Sequence, residues 1–289
     1  MKKLGLALGG GGLKGLAHIG VLQVLEDYNI PIAMISGTSA GSIIAALYAS
    51  GMSAYTMEEV VTKLKPEDYL DYNITGLIKF ILGLIFPGLK CSLDGFIIGR
   101  RLERLVFQLT DGKYLKDSKL PLAIIACDIN SGHEIVFASP GAIPGDSNHL
   151  IVTDTLMSQA VRASIAIPAI FVPSYLREMQ LVDGGVRSVV PVAIQKLMGA
   201  EYVLAINLGT EHYQQGVKGI AAIVERSINI LTYETSATEQ KIYADMAIYP
   251  GVEEVKLDDL DKALKIIRMG RRAMKNRIME LQDQLLARV

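Results

Sequence analysis

Apolar residues recur along the chain in two rhythms. Lys3 to Leu8, KLGLAL, is a short apolar run bounded by glycine, the pattern of a buried strand. Gly15 to Asp27 then carries Leu16, Ile19, Leu22, Val24 and Leu25 at near-helical spacing. A second strand pattern, PIAMIS, leads into Gly37-Thr38-Ser39-Ala40-Gly41, and Ser42 to Ala49 reads as a helix ended by Gly51. Strand, helix, strand, helix predicts parallel strands joined by right-handed crossovers, with helices covering the sheet.

From about Ser53 to Ser118 the rhythm loosens into helical pieces. They include the strongly apolar GLIKFILGLIFPGL (Gly76 to Leu89) and the amphipathic GFIIGRRLERLVFQL (Gly95 to Leu109). This interval is expected to be an inserted helical cap. Strands return with LPLAIIACDI and EIVFAS, joined through the turn-forming Asn130 to Gly132. A helix near Thr153 to Ala163, a proline-punctuated stretch, the run QLVDGG, a helix from Pro191 to Met198 and the strand YVLAINL follow. The remainder is mostly helical, with a break around Tyr249 to Glu254. No repeat or low-complexity linker divides the chain. The expectation is one α/β domain over 1–289, a three-layer sandwich with a mostly parallel central sheet and helices on both faces. The cap occupies about 53–118 and a C-terminal helical region about 258–289.

Composition narrows the function classes. Of 289 residues, half are hydrophobic and a fifth charged, enough for a large core and far from disorder. A formal net charge of −1 gives no bulk attraction to nucleic acid. Cys91 and Cys127 lack metal-ligand spacing and form no disulfide pattern, so reduced thiols and no metal or cofactor are expected. The start, MKKLGLALGGGGLKGLA, imitates a secretory signal, but Gly9 to Gly12 interrupt its apolar stretch and Lys14 closes it. No segment approaches the roughly 18 apolar residues of a spanning helix. A cytoplasmic protein, peripheral to the membrane if it meets one, is the expectation.

The candidate chemistry centres on Ser39. G-x-S-x-G between a strand and a helix forms an elbow that exposes a serine hydroxyl, and Gly37 and Gly41 have a steric reason there. The helix that follows aims its positive dipole end at developing charge. The alternative is a serine capping that helix. Gly9 to Gly15, GGGGLKG, lies between the first strand and its helix, where amides of Gly10, Gly11 and Gly12 could hold an oxyanion. Gly10, Gly12 and Gly15 also satisfy G-x-G-x-x-G literally. A dinucleotide site, however, wants an acid at the end of the second strand, which here ends in Ile35 and Ser36. A Walker loop fails because Lys14 precedes Gly15 with no Ser or Thr after it. Two bases compete: His212, the only one of four histidines after a convincing acidic turn, and Asp183, which ends an apolar run before Gly184 and Gly185. Alone, D-G-G reads equally as a turn.

Together, GGGLKG (Gly10 to Gly15), GTSAG, ASIAIPAIFVP (Ala163 to Pro173) and DGG resemble, in order, the motifs of the patatin-like phospholipases, bacterial members among them. The resemblance spans about Leu4 to Val192. It implies a patatin-like sandwich and a histidine-free dyad: Ser39 as nucleophile, Asp183 as general base and acid, and the glycine loop with Lys14 and Gly15 as oxyanion site. A carboxylate near its ordinary pKa of 3.9 is a weak base at neutral pH, so a closed site must strengthen it by desolvation. Where the family often has asparagine shortly after D-G-G, this chain has Ser188 and Val189. The expected substrate is a phospholipid or related lipid ester. A catalytically silent lipid-binding or scaffold protein is the alternative. Two stretches are candidates for peripheral membrane contact. One is the apolar 76–89 segment, which equally suits the core or a dimer contact. The other is the basic run Lys262 to Arg277, with Arg268, Arg271, Arg272, Lys275 and Arg277, which reads first as a solvated face.

Overall fold

The structure, a computed structural model, describes residues 1–86, 92–145, 149–209, 216–252 and 259–287. Among these, nine strands form one sheet: β1 (Leu4–Leu8), β2 (Ile32–Thr38), β3 (Leu122–Asp128), β4 (Glu134–Ala138), β5 (Leu150–Val152), β6 (Ser174–Leu176), β7 (Met179–Asp183), β8 (Tyr202–Ile206) and β9 (Met246–Ile248). The main path runs β5-β4-β3-β2-β1-β8-β9, with β7 paired to β3 and β6 to β7. The pairs along β3-β2-β1-β8-β9 are parallel, as is β4 with β5, while β4 and β7 run antiparallel to β3. The sheet is thus mostly parallel, and helices cover both faces.

Period-two alternation sorts side chains by size. Leu4, Leu6 and Leu8 of β1, with Ile35, Leu122, Ile124, Leu204 and Ile206, build the larger core. It packs against α1 (Ala17–Asp27), α2 (Ala40–Ser50) and, further along, α7 (Met157–Ser164). The opposite face presents Ala7, Met34, Val203 and Ala205 to Val192, the first residue of α8 (Val192–Leu197), and Ala123 and Ile125 to its Ile194. Small residues there let α8 lie close to the strands.

Between α2 and β3 the chain forms α3 (Ala54–Val61), α4 (Pro66–Tyr69), α5 (Ile74–Ile85) and α6 (Arg100–Leu109). Gly95 to Gly99, expected to open the last of these, is instead non-helical: Ile97 bridges Tyr72 and Phe171, Gly99 at φ +83° is the left-handed N-cap, and Arg100 starts the helix. Of the apolar 76–89 segment, residues 87–89 lie outside the described residues, as do Cys91 and part of the break near Tyr249. Cys127 is a free, buried thiol that burial pushes up from its usual pKa.

The rest of the chain is α9 (Ile220–Tyr243), α10 (Ala263–Lys275) and α11 (Ile278–Leu286). α10 crosses α1 at very close range. A Cβ on Gly20 would collide with the Ile267 carbonyl, and one on Gly270 with that of Ala17. This crossing fixes the basic C-terminal run in place. Arg271 pairs with Asp27 at 2.6 Å and donates to Gln23 at 3.1 Å, and Arg277 pairs with Glu280 on α11. Arg271 and Arg277 thus serve internal contacts, and the apolar face of the run is buried.

Candidate active site

Strand register brings the sequence-predicted pieces together. β4 occupies one edge of β3, from Ala123 opposite Ala138 to Cys127 opposite Glu134. The other edge is shared by two strands. β2 runs parallel along it until Thr38 lies beside Ile125. β7 arrives antiparallel along the next stretch and brings Asp183 beside Ala126. The two strands therefore meet head to head, one residue apart along β3, a step of about 3.3 Å. Ser39, the residue after Thr38, and Asp183, the last residue of β7, sit at that junction. The carboxyl ends of parallel strands are where open α/β sheets bind ligands.

Ser39 has φ 53° and ψ −126°, a backbone conformation that L-residues rarely hold. Several contacts enforce it. Its N–H donates to Ser164 Oγ at 2.9 Å, and its carbonyl accepts from Ser42 Oγ at 2.6 Å. Glycine is needed on both sides: a Cβ on Gly37 would strike the Gly41 backbone, and one on Gly41 would strike the Leu8 carbonyl. Ser39 is 6% exposed and stands at the N-terminus of α2, whose first amides carry partial positive charge.

Asp183 is 5% exposed. Its N–H donates to Ala166 at 2.9 Å, and its Oδ1 accepts from Gly185 N–H at 2.7 Å, which orients the carboxylate. Gly184 passes so close to Ile125 that a Cβ would hit its carbonyl. The segment after D-G-G then ties the site together through its backbone. Ser188 carbonyl accepts from Thr38 Oγ1, and Val189 carbonyl from Gly10 N–H, both at 2.9 Å. The backbone of Ser188 and Val189 thus anchors the segment that carries Asp183 to both the elbow and the glycine loop.

The loop lies beside the elbow because β1 and β2 are paired through Leu8 and Gly37. One expected donor is corrected here: the Gly10 N–H is committed to Val189, so Gly10 cannot turn it toward a ligand. Its role is spatial, since a Cβ there would come within 3.2 Å of Ser39 Cβ. Gly11 and Gly12, with φ +55° at Gly12, open a 3-10 turn over Gly12–Leu16, whose leading amides have no carbonyl within the turn to bind. Gly15 packs on α2, where a Cβ would approach Ala40 Cβ to 2.5 Å. The Lys14 ammonium donates to the Leu208 carbonyl at 3.0 Å and ties the loop to the chain leaving β8.

His18 is a contributor that sequence reasoning passed over. It is fully buried on α1, with Nε2 2.8 Å from the Gly9 carbonyl. A carbonyl only accepts, so Nε2 carries the proton. Burial pushes this imidazole down to about 4, outweighing the Gly9 hydrogen bond that raises it. It is a neutral prop under the loop. His212 lies outside the described residues.

Ser39 opens onto a cavity of about 150 Å³. Gly12 and Leu13 stand near its serine end, Ile43, Ile44 and Leu47 line it along α2, and α3 and α6 close it through Met57, Val61, Leu102 and Leu105. Its walls are almost wholly apolar. Among the described residues no cluster of His, Cys, Asp and Glu could hold a metal.

A sequence profile described as patatin-like phospholipase matches residues 6–194, a span that contains the loop, the elbow and Asp183. The chain belongs to the patatin-like phospholipase family. Among its curated relatives, the Lysophospholipase NTE1 of Coccidioides immitis (strain RS) is 27% identical over 261 residues, 88% of this chain and 15% of that protein. The Patatin-like phospholipase domain-containing protein 6 of Homo sapiens is 29% identical over 211 residues, 72% of this chain and 13% of that one. This chain therefore spans roughly a seventh of the length of these patatin-like relatives. Both are eukaryotic, so they carry the family and not a bacterial branch of it. The crystal structure of VipD from Legionella pneumophila has a TM-score of 0.50 at 12% identity, covering 95% of this chain and 66% of that one, a likeness of fold.

Proposed function

We propose that this chain is a serine acyl hydrolase that cleaves carboxylic esters of phospholipids or related lipids through Ser39 and Asp183. Asp183 takes the hydroxyl proton as Ser39 Oγ attacks the ester carbonyl carbon. The resulting oxyanion accepts hydrogen bonds from Gly11 and Gly12 N–H, a kind of donor worth about 3 kcal/mol of barrier each, and from the field of the α2 N-terminus. The intermediate collapses, the alcohol leaves with the proton from Asp183, and the acyl group stays on Ser39. Water then attacks the acyl carbonyl while Asp183 takes its proton, and the Oγ–acyl bond breaks with that proton returned to the serine. The fatty acid and the free enzyme result.

The observation that carries this reading is the head-to-head meeting of β2 and β7 on one edge of β3, with the strained serine facing an apolar cavity. A capping serine in a turn needs no such cavity, and a lipid acyl chain does. Among the described residues no helix is long and apolar enough to cross a membrane. Labelling with a fluorophosphonate probe tests the nucleophile. Wild type should be captured covalently at Ser39 and Ser39→Ala should not. A folded wild type that stays unlabelled would favour the silent lipid-binding alternative.

A further inference from the structure

The stretch from Ala163 to Pro173 supplies no reacting group, yet the residue just before it is a buried cation. Arg162, on α7, is 5% exposed. Its Nη2 donates to the Ile98 carbonyl at 2.6 Å and to the Val172 carbonyl at 2.5 Å, both neutral acceptors. Its Nη1 is buried with no hydrogen-bond partner among the described residues. Burial pulls the guanidinium below its usual pKa, Glu103 and Asp71 oppose that shift, and Arg100 adds to it. Burying a charge in this way costs free energy that an apolar side chain of similar volume would not. An apolar side chain, however, could not hold together two carbonyls so distant in the sequence.

Those carbonyls belong to a short ladder between the chain ahead of α6 and the chain behind α7. Phe96 N–H and Ile97 N–H both donate to the Ile170 carbonyl, at 2.9 and 2.8 Å, and Val172 N–H donates to that of Ile97 at 2.8 Å. Arg162 closes this ladder where α6 begins. Asp71 caps α6 there, accepting from Gly99 N–H at 2.7 Å and Arg100 N–H at 3.0 Å, and a Cβ on Gly99 would come within 2.6 Å of Arg162 Nε. Further along α6, Leu102, Leu105 and Val106 line the cavity that opens on Ser39, as do Ile167 and Phe171 behind α7. The same stretch also holds Ser39 and Asp183: Ser164 Oγ accepts from Ser39 N–H and the Ala166 carbonyl from Asp183 N–H, both at 2.9 Å. From Arg162 to Val172, one run of chain therefore touches the nucleophile, the acid and the cavity wall.

We propose that Arg162 is a positioning residue for acyl-chain recognition: it fixes the α6 wall of the cavity at its distance from Ser39, and so sets how well a long acyl chain is held. It touches neither the ester nor the reacting atoms. The inference rests on the proposed hydrolase reading for its substrate, but occupancy of the cavity is measured without turnover.

Arg162→Met keeps most of the side chain's bulk and removes both hydrogen bonds. It should raise KM for a dodecanoyl ester about tenfold or more, while kcat/KM for a soluble butyrate ester, which needs little of the cavity, stays within about threefold. Arg162→Lys, whose ammonium ends one bond short of Nη2, should show a smaller change in the same direction, and it carries the test if the methionine variant does not fold. In calorimetric titration, 1-decanol should bind Arg162→Met about tenfold more weakly than wild type. A side chain that served stability alone would leave the ratio of dodecanoyl to butyryl kcat/KM unchanged at a temperature where the variant is folded. That result, an equal loss on both esters, or no difference in 1-decanol binding would overturn the proposal. Should wild type hydrolyse neither ester, the hydrolase reading falls alone and the 1-decanol titration still decides the role of Arg162.

Discussion

Ser39 holds a backbone conformation that costs on the order of 1–3 kcal/mol, and its neighbours enforce it through hydrogen bonds to Ser164 and Ser42. Part of this was legible in the sequence. Two glycines flanking a serine after a strand mark a tight elbow, and the collisions that a Cβ would meet at Gly37 and Gly41 are with backbone, which cannot yield. Ser164 was not legible, because its contact with Ser39 spans 125 positions and serine in a helix has many uses. Nor was His18, whose position on an apolar face gives no hint that it supports Gly9. Its depressed pKa makes a prediction with a definite sign. The unfolded chain binds a proton near pH 6.5 and the folded one only near pH 4, so this group's contribution is lost as pH falls through that window. The loss amounts to about 3 kcal/mol at full protonation of the unfolded state. Chemical denaturation from pH 7 to 4.5 should show a steeper fall for wild type than for His18→Gln, which keeps a donor for Gly9. Equal slopes would remove His18 as the source.

Whole elements follow from the hydrophobic rhythm where they are long. β1, β2, β3 and β8 and their helices are apparent from apolar runs and periodicity, whereas β5, β6 and β9 have three residues each, too few to set a period. The β6–β7 hairpin is further masked by Pro168 and Pro173 just before it. It matters, since that hairpin delivers Asp183 to β3. α2 begins at Ala40, not Ser42, because the elbow turns directly into the helix. Along α2, Leu47 lies about 12 Å beyond Ser39 at 1.5 Å per residue, and it lines the cavity. Leu47→Trp should therefore shift ester preference to shorter acyl chains, cutting long-chain kcat/KM about tenfold or more while butyrate turnover stays within about threefold. A chain-length profile unchanged by this variant would show that acyl groups lie elsewhere.

At the scale of the molecule, distant parts of the chain are bound to one another around the sheet's carboxyl edge. The backbone of Ser188 and Val189 anchors to Thr38 and Gly10, and Lys14 to Leu208, so elbow, loop and acid are mutually braced. None of these bonds was visible in the sequence, although the order of motifs was, because motifs record local turns and not the register that brings β2 and β7 end to end. The C-terminal region is part of this bracing, since α10 packs on α1, the helix that carries His18. Gly270→Ala, which forces a methyl into the Ala17 carbonyl, should cost about 1–3 kcal/mol or more by overpacking and lower Tm by several degrees. An unchanged Tm would mean that the crossing loosens without cost.

The most direct test of a Ser39–Asp183 pair acting as one unit is kcat/KM on a soluble ester for wild type, Ser39→Ala, Asp183→Asn and the double variant. Residues that act together are strongly non-additive. Each single change should lower kcat/KM at least about a thousandfold, with the double variant no worse than the weaker single. Asp183→Asn within about tenfold of wild type, or losses that simply multiply, would contradict the shared role of these two side chains.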